Sequence, residues 1–259
     1  MKTTFIIAGA CGRMGKIIFE LLQADLSAEV VGLLEHKDYI NENLFGNFLI
    51  ETCPDELLKK FPKAVIIDFT APEATLRLAK EASIYGNPMV IGTTGFNKEQ
   101  KDILDELSKK IPIFWAPNMS IGVNVLLKIL PELVQMLGND YDMEMVELHH
   151  NKKKDSPSGT ALKLAECLAK AREWDLNDVA CYHREGLVGE RPKNEMGIQT
   201  IRGGDVVGVH TMYFMGQGER IEVTHQAHSR TTFAQGAIRA AKWLVHKEAK
   251  SVYTMEDIF

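Results

Sequence analysis

The sequence predicts an α/β domain built on a parallel sheet with helices on both faces, followed by a smaller α+β domain with an open mixed sheet. Three observations carry this reading. Over residues 1–120, short runs that are apolar throughout alternate with segments of helical periodicity, as expected of strands buried on both sides. Beyond residue 120 the order changes to helices followed by strand-like runs in which polar and apolar residues alternate. The chain has 259 residues, 45% of them hydrophobic and 25% charged, enough for one large or two smaller packed domains.

Residues 4–8 (TFIIA) form the first strand, and Met14, Ile17, Ile18, Leu21 and Leu22 then follow the spacing of one helix face. Residues 30–34 and 64–68 read as further strands. Pro72 suits the first turn of a helix reaching Tyr85. Strands at 89–91 and 113–115 flank a charged helix over 98–109. A helix over 122–137 carries Val125, Leu126, Ile129, Leu130, Leu133, Val134 and Leu137 on its apolar side, and Pro131 inside it predicts a kink or break. Residues 160–171 are helical. Residues 206–214 and 220–224 are strand-like around a Gly216-Gln217-Gly218 turn. Ile221 and Val223 alternate with Glu222 and Thr224, so one face is wet, which suits an open, largely antiparallel sheet. Residues 232–245 form the last helix.

Composition narrows the function. Lys and Arg number 30 against 35 Asp and Glu, a net charge of −5, which argues against a general nucleic-acid binder. No run approaches the ~18–20 apolar residues of a membrane span. The apolar run before Gly9 is too short for a signal peptide. Cys11, Cys53, Cys167 and Cys181 lie far apart without a Cys-x-x-Cys pair, which argues against a disulfide framework or zinc knuckle and for a reduced cytoplasm. No metal site is expected: there is no His-Glu-x-x-His, and His225 and His228 read as packing or surface residues. No Gly-x-Ser-x-Gly elbow supports a serine hydrolase.

The first strand runs into Gly9-Ala10-Cys11-Gly12-Arg13-Met14-Gly15, one step off the commoner Gly-x-Gly-x-x-Gly. Glycine lets the backbone turn tightly against a pyrophosphate, which then sits on a helix N-terminus. A strand before, an amphipathic helix after and a second strand ending in Glu35 complete a Rossmann-type context. Glu35 lies 20 residues beyond Gly15, where an acid hydrogen-bonds the adenine ribose hydroxyls. His36 and Lys37 follow, where an arginine would mark a 2′-phosphate pocket. Glu35 repels that phosphate and Lys37 partly offsets it, so both NADH and NADPH stay open, with a lean to NADH. Loops 92–95 and 116–120 follow later strands, where ligands bind in open parallel sheets, although each read alone is an ordinary turn.

The densest segment is 147–161, ELHHNKKKDSPSGTA. Ser158, Gly159 and Thr160 suit a helix N-terminus, whose free N–H groups attract anions. Two histidines and three lysines before it make a positive centre suited to a small carboxylate substrate. On composition alone the segment is equally a solvated basic loop.

Gly-Arg-Met-Gly at 12–15 joined to this segment resembles the dihydrodipicolinate reductase family, over essentially the whole chain. The family pattern E-x-H-H-x-x-K-x-D-x-P-S-G-T-A is matched by Glu147, His149, His150, Lys153, Asp155, Pro157, Ser158, Gly159, Thr160 and Ala161. Asp68-Phe69-Thr70, Gly92-Thr93-Thr94, 202–208 (RGGDVVG) and 229–234 (SRTTFA) look like other family segments. The resemblance implies reduction of 4-hydroxy-tetrahydrodipicolinate to tetrahydrodipicolinate, with loss of water, by NADH or NADPH, in lysine and diaminopimelate biosynthesis. It implies that His149 and Lys153 are the acid–base pair, with Lys153 the proton donor. By the same resemblance His150, Gly159 and Thr160, helped by Arg230, hold the substrate carboxylates. Gly9, Ala10, Cys11, Gly12, Arg13, Met14, Glu35, His36, Phe69, Thr70, Gly92, Thr93, Thr94, Ala116, Pro117, Asn118 and Met119 line the cofactor site. It further implies a cytoplasmic homotetramer joined through the second domain's sheet. The last helix returns to the first domain, giving segments 1–120, 121–229 and 230–259. Departures from the family fall at His36, Pro117, Asn151 and Lys152. An aspartate-dehydrogenase-like enzyme would share the glycine loop but lack the His-His-x-x-Lys to Ser-Gly-Thr segment. A non-catalytic NAD(P)-binding sensor would not need His149 and Lys153 together. If 149–155 is extended, Lys153 points with His149, Asn151 and Asp155.

Overall fold

The computed structural model describes residues 2–40 and 44–259. The chain divides into two compact units, Met1–Ile121 with Arg230–Phe259 and Gly122–Ser229.

In the first unit β1 (Thr3–Ala8), β2 (Ala28–Leu34), β3 (Ile50–Glu51), β4 (Val65–Asp68), β5 (Met89–Ile91) and β6 (Ile113–Trp115) form one sheet in the order β3-β2-β1-β4-β5-β6. Every pairing is parallel. The intervening helices are α1 (Arg13–Ala24), α2 (Pro54–Lys60), α3 (Pro72–Tyr85) and α4 (Lys98–Ser108). Phe5, Ile7, Val65 and Ile67 face one core, while Ile6, Ile66, Met89 and Ile91 face the other. All eight are fully buried. Alternate residues thus go to opposite faces of a sheet dry on both sides, which is why the runs are apolar throughout. Each such side chain stabilises the fold by roughly 1.5–3 kcal/mol. α4 is closed by a capping box: Asn97 Oδ1 accepts from the Gln100 N–H and Gln100 Oε1 from the Asn97 N–H. The strand order reverses between β1 and β4, the topological switch point of such sheets.

The second unit contains α5 (Ile121–Leu137), β7 (Asp142–His149), α6 (Gly159–Ala171), α7 (Leu176–Val179), β8 (Ala180–Cys181), β9 (Met196–Arg202), β10 (Gly208–Gly216) and β11 (Glu219–Ala227). Its sheet order is β11-β10-β7-β9-β8. β10 is antiparallel to β7 and β11, but β9 is parallel to β7 and β8. The sheet is therefore mixed, as the sequence predicts: the 206–214 and 220–224 strands pair antiparallel, while the crossover through α6 returns β9 in the direction of β7. α5 runs on through Pro131, so the expected break is absent. Leu130 and Val134, on either side of the proline, are fully buried among Met143, Met145, Leu164 and Phe214, and that packing holds the helix together. Although no uninterrupted apolar run is present, Ile121–Asp140 has a mean hydropathy of 1.4 and is long and apolar enough to cross a membrane by those measures. Lys128 and Glu132 interrupt the run without lowering that mean far.

The chain then returns to the first unit as α8 (Thr231–Leu244). Ala234, Ala237, Ala240 and Ala241 are fully buried, small residues that let the helix sit close to the sheet. Lys242 pairs with Asp25 at the end of α1. Beyond the helix, Tyr253 exchanges backbone hydrogen bonds with Ile113 and Trp115 and covers the β6 edge.

Candidate active site

The first unit places the glycine turn at the carboxyl end of β1. Gly9 has φ +73°, a left-handed conformation that side chains disfavour. A Cβ on Gly15 would lie 2.3 Å from the Gly9 carbonyl oxygen, so only glycine lets α1 start this close to β1. The Gly12 N-cap brings no side-chain acceptor, and the first turn of α1 has no acid. Its N–H groups and helix dipole are thus left for an anion. The Glu35 carboxylate accepts the Cys11 N–H at 2.9 Å and the His36 N–H at 2.8 Å, which holds it beside the turn. Gly9, Cys11, Gly12, Glu35, His36, Phe69 and Thr70 share one cavity of about 1080 Å³. Tyr39, Glu73 and Arg77 line the same cavity and were not singled out in the sequence. The His36 ring nitrogen lies 3.4 Å from Asp38.

Other residues expected at the cofactor are not in that lining. Ala10, Ala116 and Met119 are buried core residues. Arg13 opens α1 as an exposed side chain, and Met14 packs partly against the core. Pro117 and Thr94 are exposed, and Asn118 Oδ1 accepts the Ser120 N–H. Gly92 and Thr93 follow β5 beside Phe69 and Thr70, and the Thr93 carbonyl accepts Trp115 Nε1–H at 3.0 Å.

The second unit builds its constellation on β7, whose inward residues are Met143, Met145, Glu147 and His149. Glu147 is completely buried. Its carboxylate lies 2.5 Å from His149 Nδ1 and accepts the Ser158 N–H at 3.0 Å and the Thr200 hydroxyl at 3.2 Å. Arg202 grips both oxygens, at 2.8 and 2.7 Å. Burial alone would raise the Glu147 pKa, but the Arg202 fork, His149 and the Ser158 N–H together hold it down at about 2. An ionised Glu147 only accepts, so His149 presents its proton at Nδ1 and leaves Nε2 as the working nitrogen. Burial lowers the His149 pKa against the pull of Glu147.

Ser158 caps α6, its Oγ accepting the Ala161 N–H at 3.1 Å, so Gly159 and Thr160 form the first turn. Beyond His149 the chain turns: the Lys153 N–H bonds back to the His150 carbonyl at 3.2 Å. This corrects the extended reading of 149–155. Lys153 is the half-buried member of the lysine run, while Lys152 and Lys154 are exposed. Its ammonium pairs with Asp155 Oδ1 at 2.9 Å. The half-buried His150 donates its backbone N–H to the Val206 carbonyl. Arg230 falls in the first unit, as the N-cap residue of α8.

Sequence reasoning gave no role to Glu147, Arg202 or His210. Glu147 stands two residues from His149 on one strand face, a signal available in the sequence. His210 is 4% exposed, its Nε2 is 3.1 Å from Ser158 Oγ, and its ring stands edge-to-face on His149 at 5.2 Å. Burial, then the neighbouring His149, push its pKa down to about 4. A pKa below the unfolded value near 6.5 means that the stability contributed by neutral His210 is full above pH 6.5. It is lost as pH falls toward 4, by about 3 kcal/mol. Thermal unfolding of His210→Gln should lack this part of the acid destabilisation; an unchanged dependence on pH would contradict it.

Fold and site define a Rossmann-type oxidoreductase that takes a pyridine nucleotide. Residues 3–119 match the dihydrodipicolinate reductase N-terminus and residues 122–259 the dihydrodipicolinate reductase C-terminus. The chain is 61% identical over 259 residues to 4-hydroxy-tetrahydrodipicolinate reductase of Nitratidesulfovibrio vulgaris, covering 100% of both. It is 59% identical over 258 residues to the reductase of the same name from Oleidesulfovibrio alaskensis, again over 100% of both. A solved dipicolinate-bound dihydrodipicolinate reductase from Paenisporosarcina sp. TG-14 shares the fold, with a TM-score of 0.77, 24% identity and 100% coverage of both chains. The chain belongs to the dihydrodipicolinate reductase family.

Proposed function

We propose that this chain reduces 4-hydroxy-tetrahydrodipicolinate to tetrahydrodipicolinate, with loss of water, in lysine biosynthesis through diaminopimelate. The observation that carries this is Glu147–His149 and Lys153 set beside the capped N-terminus of α6, in a family whose named relatives are reductases of this substrate. A bound NADH or NADPH supplies a hydride. The chain's own residues do the rest. The N–H groups of the α6 first turn at Gly159 and Thr160, with His150 and Arg230, hold the two carboxylates. Loss of water leaves a conjugated cyclic imine, and the Lys153 ammonium delivers the proton to the ring atom that gains electron density as hydride adds at the electron-poor conjugated carbon. His149, fixed through Nδ1, works with it through Nε2. In the first unit the α1 N-terminus takes the pyrophosphate and Glu35 the adenine ribose hydroxyls. Phe69 and Thr70 line the cofactor site beside the glycine turn, and residues 92–94 and 116–119 meet the nicotinamide side. Oxidation of NADH that depends on added 4-hydroxy-tetrahydrodipicolinate is the expected result. Turnover of aspartate instead, or binding of cofactor without turnover, would contradict it.

The chain uses both cofactors with a lean to NADH, because Glu35 is followed by His36 and Lys37 and not by arginine. Steady-state kinetics with each cofactor test this, and His36→Arg should move kcat/KM toward NADPH. A preference of about tenfold or more for NADPH in the unaltered chain, some 1.4 kcal/mol, contradicts the lean.

The assembly is a cytoplasmic homotetramer. Apolar side chains exposed on the second unit, Leu187 at 107%, Val188 at 59% and Tyr182 at 49%, support a partner surface there. Arg184 and Arg191 pin that loop to β7 through Glu144, so the surface is held in place. Light scattering should give four chains per particle; a stable monomer at micromolar concentration contradicts it.

A further inference from the structure

Asp68 ends β4 and is fully buried, as is Thr75 on α3, while Thr93 in the loop after β5 is 3% exposed. A carboxylate removed from water persists only where donors meet its lone pairs. Here the donors are three threonine hydroxyls. Thr70 Oγ1 donates to Oδ1 at 2.6 Å, Thr93 Oγ1 donates to Oδ2 at 3.3 Å, and Thr75 Oγ1 donates to Oδ2 in a close contact. Thr93 Oγ1 also accepts the Thr70 N–H at 3.0 Å. The Asp68 carbonyl accepts the Gly92 N–H at 2.8 Å. Burial pushes the Asp68 carboxyl up in pKa, and the hydroxyls oppose this.

The network joins three stretches of chain. Phe69 and Thr70 follow β4, and Gly92 and Thr93 follow β5. The glycine turn approaches the first of these, since a Cβ on Gly9 would come to 3.0 Å from Thr70 Cγ2, and the two loops meet each other, since a Cβ on Gly92 would come to 2.1 Å from the Phe69 ring. A hydroxyl has one proton to give. Those of Thr70 and Thr93 are directed inward at Asp68, and the Thr70 N–H is taken by Thr93.

We propose that Asp68 is a positioning residue that fixes the loops at 69–70 and 92–94 for the cofactor, and that the Thr70 and Thr93 hydroxyls act through Asp68, not by donating to the cofactor. This rests on the reading of those loops as the cofactor site. A Thr93 hydroxyl that touched the cofactor would contribute to affinity whatever stood at position 68, whereas one that acts through Asp68 contributes only while the carboxylate is present.

Fluorescence titration with NADH of the full chain, Asp68→Asn, Thr93→Val and the double variant separates the two. Each single change should weaken NADH binding by about tenfold or more, the worth of a hydrogen bond to a charged group. The double variant should bind no more weakly than Asp68→Asn. Thr93→Ser, which keeps the hydroxyl, should restore affinity, and the KM for the dicarboxylate at saturating NADH should stay unchanged throughout. Multiplying losses in the double variant, or unaltered NADH affinity in a folded Asp68→Asn chain, overturns the proposal. Should Asp68→Asn not fold, Asp68→Ser with and without Thr93→Val makes the same comparison, and multiplying losses there again overturn it. An unaltered chain that binds neither NADH nor NADPH overturns the cofactor reading itself, and the Asp68 role with it. Normal binding with multiplying losses overturns the Asp68 role alone.

Discussion

Replacing Lys153 with alanine should lower kcat by about 10²–10⁴, the usual worth of a positioned general acid. Three lysines stand in a row, but only Lys153 is half-buried, with its ammonium held 2.9 Å from Asp155. A proton donor must reach the ring, and an electrostatic helper need not. Lys152→Ala and Lys154→Ala should therefore mainly raise the substrate KM, most clearly at low salt, because exposed charges are screened over ~10 Å at 0.1 M. NADH affinity, measured by fluorescence, should stay close to that of the unaltered chain in all three variants, since the glycine turn belongs to the other unit. A Lys153→Ala chain with nearly normal kcat removes the proton-donor role and leaves His149 as the candidate.

Glu147→Gln should lower kcat by roughly 10²–10⁴, the scale of losing tautomer control over a catalytic histidine. The amide can donate as well as accept, so His149 is no longer held with its proton at Nδ1. The same change leaves Arg202 without its charged partner, and breaking a buried pair costs about 3–5 kcal/mol of stability. Acid stability gives a second readout. The Glu147 pKa is held at about 2, below the ordinary 4.5, so its contribution is full above pH 4.5 and disappears as pH falls toward 2. Thermal unfolding of Glu147→Gln should start lower at pH 7 and lose that part of the acid slope. Normal kcat with lowered stability would make Glu147 a structural residue only.

The parallel sheet was legible because strands dry on both faces must be apolar throughout, as in 4–8 and 64–68. β3 was not, since two residues show no period, and α2 buries the adjacent pair Leu57 and Leu58, which carries no helical spacing. β7 was legible only as a strand leading into 147–161, because Glu147 and His149 are buried on the same face as Met143 and Met145 and its inward positions look polar. The turn after His149 depends on Gly203 and Val206 pairing with His149 and His150, contacts from some fifty residues away. The role of Arg202 likewise follows from the β7–β9 register that sets it opposite His149. Residues bearing chemistry were visible by type, and the groups that aim them became visible only once distant strands were paired.

The most direct measurement is transfer of label. NADH carrying deuterium at the transferring position of the nicotinamide is incubated with the chain and 4-hydroxy-tetrahydrodipicolinate, and the product is examined by mass spectrometry. Hydride addition to the electron-poor carbon of the conjugated imine requires tetrahydrodipicolinate that carries the deuterium. Product without the label, or cofactor oxidised without formation of tetrahydrodipicolinate, would contradict the assigned reaction.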